Sequence, residues 1–227
     1  MVTVTWYGHA TLGLDIDGIQ ILVDPFFSSN PVATVALEDI HPDVILVSHG
    51  HGDHIGDTIA IAKRAGALVI SNHEIVNWLR EQGLSRLHGQ HIGGGFHHTF
   101  GYLKLTLALH GSQLPDGSYG GNPCGFYLET NTGKKIYLAQ DTGLFGDMSL
   151  IGEEGLDLAA IPIGDNYTMG PKDAIKAVQL LKPRYVVPIH YNTFELIKQD
   201  ADKWADEIES TTNSTAKVLR IGESLQF

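Results

Sequence analysis

The chain has 227 residues, of which 43% are hydrophobic and 18% are charged. This composition can form a buried core and does not indicate disorder. Its 15 basic residues against 26 acidic ones give a formal net charge of −11. This balance argues against a general nucleic-acid binder, which needs a basic surface to displace counterions.

The N-terminal residues lack both the basic start and the apolar stretch of a signal peptide, and no apolar run reaches the roughly 18 residues of a spanning helix. Cys124 is the single cysteine and has no internal disulfide partner. We therefore expect a cytoplasmic protein without a membrane partner.

The first third of the chain predicts strands followed by helices. Residues 2–7 and 11–17 alternate apolar and polar side chains, and Asp17-Gly18 is a hairpin signal before the next strand. Asp43–Val47 is typical of a strand buried on both faces. The elements predicted around and after these are a strand at Ile19–Val23, a helix at Ile55–Ala65, a strand at Leu68–Ile70 and a helix at Glu74–Gln82.

The remainder predicts further strands and then another alternation of strands and helices. The predicted elements are strands at Tyr102–Leu109, Cys124–Thr130, Lys135–Ala139, Leu156–Ile163, Tyr185–Ile189 and Val218–Ile221, a helix between Pro171 and Pro183, and a helical apolar stripe from Ile197 to Ile208. No linker-like break divides the chain, so we expect one domain over residues 1–227. The order favours an α/β fold of two mixed sheets with helices outside.

Six of the apolar runs end on a residue that can bind a metal. A rigid strand aims such a side chain well, and its end is where a polar group can leave the core. If these ends meet at one edge, imidazoles and carboxylates line a cavity there, and zinc, manganese and iron accept both ligand types. The terminal residues are Asp24, His49, His110, Asp141, Asp165 and His190.

The strongest motif directly follows one of these runs, as His49-Gly-His51-Gly-Asp53-His54. Its glycines remove side-chain bulk and let the ligands converge. One metal needs three or four protein ligands. The motif together with the more distant His110, Asp141 and His190 supplies seven, which suits two metals with a shared carboxylate better than one.

A lone histidine at a strand end is usually hydrogen-bonded or solvated rather than a ligand. Here three histidines and an aspartate lie within six residues after a buried strand, and further candidates occupy similar positions. The pattern as a whole therefore predicts metal binding.

In the order and spacing of these residues, the chain resembles the metallo-β-lactamase superfamily over nearly its whole length. Segments Trp6–Thr11, Val23–Pro25 and Gly164–Gly170 are similar to a branch of uncharacterised metal-dependent hydrolases, related to the ascorbate-6-phosphate lactonase type. The resemblance implies a four-layer αβ/βα sandwich of two mixed β-sheets flanked by helices, with metals at one edge of the sheets.

The resemblance also implies a division of ligands. The first metal would take His49, His51 and His110, the second Asp53, His54 and His190, and Asp141 would bridge them. Flavodiiron members of the superfamily carry Glu in place of His51, so the match favours hydrolysis over oxygen reduction.

These residues predict a binuclear metal-dependent hydrolase that cleaves an ester-type bond (phosphodiester, lactone or thioester) of a small molecule by a metal-bound hydroxide. Asp53 and Asp141 are the candidate catalytic carboxylates. Zinc is the default ion, and manganese and iron also suit the ligands. The sequence does not predict the oligomeric state, so both a monomer and a homo-oligomer are compatible with it.

Four further residues are candidates for the site wall or for support of the ligands. Asp24 would hydrogen-bond a ligand imidazole or cap a turn. His9 would line the site or be an ordinary satisfied histidine, and Asp165 and Tyr167 would line the site or belong to an ordinary loop. The loop Gly111–Asn122 would gate the substrate or simply be mobile.

Two other functional classes remain open at this point. A single-iron redox enzyme could use the same fold, although a full set of seven ligands argues against it. A metal-binding protein without turnover would be expected to lack a ligand, and none is missing. Metal content discriminates among the three.

Overall fold

The computed structural model describes residues 1–227, which form two seven-stranded β-sheets with helices packed outside them. The strands of the first sheet are β1 (Val2–Trp6), β2 (Leu12–Ile16), β3 (Ile19–Val23), β4 (Val44–Leu46), β5 (Leu68–Asn72), β6 (Leu87–Gln90) and β14 (Ser224–Gln226). The strands of the second are β7 (Gly95–His98), β8 (Gly101–Leu107), β9 (Cys124–Thr130), β10 (Lys135–Leu138), β11 (Leu158–Pro162), β12 (Tyr185–Ile189) and β13 (Thr215–Ala216).

Six α-helices and two short 3-10 turns complete the chain. The helices are α1 (Gly52–Ile55), α2 (Thr58–Ala65), α3 (His73–Glu81), α4 (Met148–Gly152), α5 (Pro171–Leu181) and α6 (Ala201–Thr211), and the 3-10 turns are Leu37–Asp39 and Glu195–Ile197. Side-chain caps fix two helix starts, because Asn72 accepts from Ile75 N at 2.9 Å and Asp200 accepts from Lys203 N at 3.0 Å.

Each sheet joins an antiparallel half to a parallel half. The first has the order β14-β1-β2-β3-β4-β5-β6, antiparallel as far as β3 and parallel from β3 to β6. The second has the order β13-β12-β11-β10-β9-β8-β7, antiparallel from β7 to β10 and parallel from β10 to β13. The carboxyl ends of the parallel strands therefore meet at one edge.

Apolar residues of both sheets form one cluster of 45 buried residues, to which Val4 and Leu14 contribute from the first sheet and Leu103 and Phe126 from the second. A second cluster of 14 packs α2 and α3 onto the outer face of the first sheet. These layers confirm the predicted αβ/βα sandwich of two mixed sheets.

Three predicted elements differ from the observed ones. The helical stripe expected from Ile197 to Ile208 is helical only from Ala201, because Ile197 ends a 3-10 turn and Lys198 is extended. The helix expected at Ile55–Ala65 is interrupted at Gly56, whose φ of +25° ends α1, and a Cβ there would collide with the carbonyl oxygen of Pro25. The closing strand expected at Val218–Ile221 is wrong. Those residues carry the chain from β13 in the second sheet to β14 in the first, so they pair with neither.

No helix in the structure combines the length and the apolar character needed to cross a bilayer.

Candidate metal centre

The predicted ligands meet at one edge of the sandwich, where several strands end. Residues 49–54 follow β4 and begin α1, and Asp141 and His190 follow β10 and β12. The backbone turns left-handed directly after several of these strands, which redirects the side chains toward the edge. The non-glycine residues with positive φ at this edge include His9 (54°), Asp24 (45°), Gln140 (51°) and His190 (54°).

One group of ligand atoms consists of three histidine nitrogens. His51 Nδ1 lies 3.0 Å from His49 Nε2 and 3.2 Å from His110 Nε2. Tetrahedral zinc with Zn–N bonds of about 2.0–2.1 Å places its nitrogens about 3.3 Å apart, close to these separations. Three ring nitrogens this close together need a shared proton or a cation between them, so this group fits a metal ion.

A second group consists of His9, Asp53, His54 and His190, whose ligand-type atoms all lie within 4.8 Å of one another. His9, His54 and His190 are almost fully buried, whereas 34% of the Asp53 side chain is exposed to the adjoining cavity. A mixed set of imidazoles and one carboxylate is a donor set that zinc, manganese and iron accept.

Asp141 lies between the two groups. Its Oδ2 is 3.5 Å from His110 Nε2 in the first group, and 3.3 Å and 3.0 Å from the Nε2 atoms of His54 and His190 in the second. One carboxylate oxygen therefore faces ligands of both groups.

Three buried polar atoms of this cluster make no hydrogen bond: Asp141 Oδ1, His190 Nδ1, and His54 Nε2, whose 3.3 Å contact with Asp141 Oδ2 is an ion pair without hydrogen-bond geometry. A buried polar atom without a partner costs about 1–3 kcal/mol, so such atoms are rare in folded proteins. Three of them in one cluster of ligand-type residues fit a bound cation.

The protonation of the cluster follows from burial and from its two central carboxylates. Burial lowers the pKa values of His49, His51 and His110 below 6.5, and therefore favours the neutral imidazole that ligates metals. Burial raises the pKa of Asp141, but His190 and His54 outweigh it and hold that pKa well below its usual range. Burial likewise lowers the pKa of His54, and the nearby Asp141 and Asp24 reverse this and raise it.

Asp24 is the buried hub beneath the ligands, and its carboxylate accepts from three residues. Ser48 N donates to Oδ1 at 2.7 Å and Ser48 Oγ donates to Oδ2, while His54 Nδ1 and Gln140 Nε2 each lie 2.7 Å from Oδ2. Because His54 Nδ1 carries the hydrogen toward Asp24, its Nε2 is left free to face the cluster. Sequence reasoning missed Ser48 and Gln140, although each directly precedes a predicted ligand.

His9 and Thr193 form a hydrogen-bonded chain that ends on Asp53. His9 Nε2 is 3.1 Å from Asp53 Oδ2, and His9 Nδ1 is 2.9 Å from Thr193 Oγ1. An ionised carboxylate only accepts, so Nε2 carries the hydrogen, and a neutral imidazole then accepts at Nδ1 from the Thr193 hydroxyl. Burial lowers the pKa of His9 to about 4 and keeps the ring neutral. No sequence signal marked Thr193.

A cavity of about 360 Å³ opens above the cluster. Its lining residues are His9, His51, Asp53, His110, Asp141, Tyr167, His190, Phe194 and Leu196. Asp165 does not line it, because this exposed residue lies in a left-handed turn before α5 and accepts from Asn166 N. Sequence reasoning missed Phe194 and Leu196, which follow β12, because no motif marks them.

The loop Gly111–Asn122 is fixed to the rest of the fold at several points. Trp78 Nε1 donates to Asp116 at 2.6 Å and Asn72 Nδ2 donates to Gly120 O at 2.7 Å. Gly50 N donates to Ser112 Oγ at 3.1 Å, and a Cβ at position 50 would lie 3.0 Å from the carbonyl oxygen of Gln113. The loop thus packs on the histidine motif, and this close approach favours glycine there.

Comparison with known proteins gives consistent matches over most or all of the chain. The model of the family described as "Beta-lactamase superfamily domain" matches residues 20–191. A UPF0173 metal-dependent hydrolase of Pelotomaculum thermopropionicum is 48% identical, over 99% of both chains. One of Thermus thermophilus is 45% identical, over 97% of this chain and 100% of the relative.

Among solved structures, the fold matches Igni18, a metallo hydrolase of the archaeon Ignicoccus hospitalis. The TM-score is 0.91 and the sequence identity 36%, over 100% of this chain and 99% of the other.

Proposed function

The chain belongs to the UPF0173 metal-dependent hydrolases of the metallo-β-lactamase superfamily, and from that premise we propose that it is a binuclear enzyme that cleaves an ester-type bond of a small molecule. One observation carries the proposal: a single oxygen of Asp141 lies within 3.5 Å of histidines of two separate ligand groups. A shared carboxylate of this kind suits a pair of ions better than a single ion.

In this proposal, His49, His51 and His110 hold one ion, Asp53, His54 and His190 hold the other, and Asp141 is shared. The donor set of five imidazoles and two carboxylates favours zinc, and manganese or iron would also be accepted. Asp24 and Ser48 support the set, since their hydrogen bonds fix the ring orientations of His54 and His49.

Two ions held by these residues would polarise a scissile carbonyl or phosphoryl oxygen and would supply a hydroxide nucleophile near neutral pH. Asp53 orients the attacking water by accepting a hydrogen bond from it. Burial raises the pKa of Asp53, but the hydrogen bond from His9 and the charge of His54 outweigh it, so the carboxylate stays ionised and able to accept.

Turnover of a phosphodiester, a lactone and a thioester by the purified protein tests this function. Asp53→Ala and His51→Ala should abolish turnover of whichever substrate is cleaved, without unfolding the protein. Asp206→Ala and His97→Ala, which change exposed residues of α6 and β7 that do not line the cavity, should retain full activity. If both cluster variants stay as active as the wild type, the proposal is wrong.

A further inference from the structure

The cavity above the ligands has an apolar rim that the hydrolytic chemistry does not use. Three of its nine lining residues are large apolar or aromatic side chains in contact with solvent: Tyr167 is 55% exposed, Phe194 41% and Leu196 65%. A single exposed leucine is ordinary on a protein surface, but several large apolar side chains around one functional cavity indicate a binding surface.

Hydrogen bonds and a buried anchor hold this rim in place. Asn192 N donates to Ile197 O at 2.9 Å, and the Asn192 side chain accepts from Gln199 N at 2.8 Å, which closes the segment around Leu196. Ile197 is fully buried beneath it. The apolar side chains are therefore presented on a fixed turn, so holding them next to the cavity needs no further ordering.

A cross-link joins the two rim segments. Gln199 Nε2 donates to Gly164 O at 3.0 Å, and Gly164 begins the turn that presents Tyr167. Phe194 also packs edge-on against the ring of His9, with centroids 5.7 Å apart. The apolar rim is thus continuous with the side chains that hold Asp53.

The charges around the cavity argue against an anionic group on the substrate away from the scissile bond. No lysine or arginine is among the nine lining residues. Lys198 follows the rim segment, but its Nζ is paired with Glu195 Oε2 at 2.6 Å. A substrate with an anionic group away from the scissile bond would find no lysine or arginine in the cavity lining to pair with, in a chain of net charge −11.

We propose that the substrate is an ester, lactone or thioester whose acyl group is uncharged and apolar and packs against Phe194 and Leu196. The inference rests on the proposed function, because it takes the scissile carbonyl to lie at the ligand cluster. A volume of about 360 Å³ is near the lower end of the roughly 300–1,000 Å³ typical of small-molecule sites, so the acyl group is short.

Three hydroxamates of different side chain test this inference by binding rather than by turnover. Titration calorimetry on the Zn²⁺-loaded protein would compare acetohydroxamate, hexanohydroxamate and the monohydroxamate of succinic acid. One fully buried methylene is worth about fourfold in affinity. The rim covers the alkyl chain of the probe on one side only, so each methylene is partly buried. We therefore expect the hexanoyl probe to bind at least about tenfold tighter than the acetyl probe. The anionic probe should bind no tighter than the acetyl probe.

Leu196→Asn should reduce the hexanoyl-to-acetyl preference about three- to fivefold. Leu150→Asn is the matched control, because Leu150 is 59% exposed and lines a different cavity, and it should keep the full preference. Equal affinity for the acetyl and hexanoyl probes, or a preference for the anionic one, would overturn the inference while leaving the metal centre intact. If no hydroxamate binds, the proposed metal centre itself fails and the inference falls with it.

Discussion

The imidazole of His9 lies 3.1 Å from the carboxylate of Asp53, a residue 44 positions away in the sequence. The contact joins the loop after the first strand to α1, the helical turn that carries the predicted ligands Asp53 and His54. It occupies Oδ2 of Asp53 and fixes the rotamer of the side chain, and Thr193 holds the imidazole from its other nitrogen. His9 thus positions a ligand of the proposed second ion.

Replacement of His9 by Ala should weaken binding of one of the two ions about 10- to 100-fold, which is the usual cost of removing a group that orients a metal ligand. His9→Gln, whose amide can still donate toward Asp53, should recover part of that loss. Competition with a chromophoric chelator measures both affinities. Wild-type affinity for both ions in His9→Ala would show that Asp53 needs no such support.

Asp24→Asn should destabilise the metal-free protein by about 3–5 kcal/mol, because it leaves the buried donors of Ser48, His54 and Gln140 without their shared carboxylate. Urea unfolding of the metal-free protein measures this. Asp173→Asn is the control, since it removes an exposed pair with Lys176 and should change stability by less than about 1 kcal/mol. Similar losses in the two variants would contradict the hub role of Asp24.

The stability of the metal-free protein should fall as the pH is lowered from about 6.5 toward 4, in part because of His98. Burial, and then the neighbouring His88, lower the pKa of His98 to about 4 from 6.5. Because the pKa of His98 is lower in the folded protein, the unfolded chain binds this proton more strongly. The contribution of His98 to the free energy of unfolding is therefore fully present above pH 6.5, and it is lost as the pH falls through the folded-state pKa of about 4.

His98→Phe, which keeps a flat ring to stack on Phe100, should flatten that pH dependence in urea unfolding followed from pH 7 to pH 4. His97→Phe, at the exposed neighbouring position, controls for the added apolar surface. An unchanged slope in His98→Phe would show that His98 does not contribute.

The strand ends are what made this site predictable from the sequence. Apolar runs that finish on His or Asp mark positions where side chains leave the core, and the parallel strands bring Asp24, Asp141 and His190 to one edge. The fold class followed from the same alternation of strands and helices. Edge strands β6 and β7 were harder to foresee, because they are short, contain glycine and histidine, and show little apolar alternation.

The parts of the site that sequence reasoning missed depend on three-dimensional contacts between distant residues. Thr193 acts through its 2.9 Å contact with His9, which lies 184 residues away, and no local pattern marks it. Leu196 is part of the rim because Asn192 and Gln199 close the turn around it. The loop Gly111–Asn122 has the composition of a mobile loop, yet hydrogen bonds from Trp78 in α3 and from Asn72, the N-cap of α3, fix it in place.

The most direct test of the binuclear account is metal content per chain, measured by elemental analysis of protein purified without added metal and repeated on Asp141→Ala. The account predicts about two zinc or manganese ions per wild-type chain and fewer in the variant, because the shared ligand is lost. A single iron per chain would instead favour the redox enzyme, and no metal would favour a protein without turnover. Two ions retained in full by Asp141→Ala would contradict the shared role of that carboxylate.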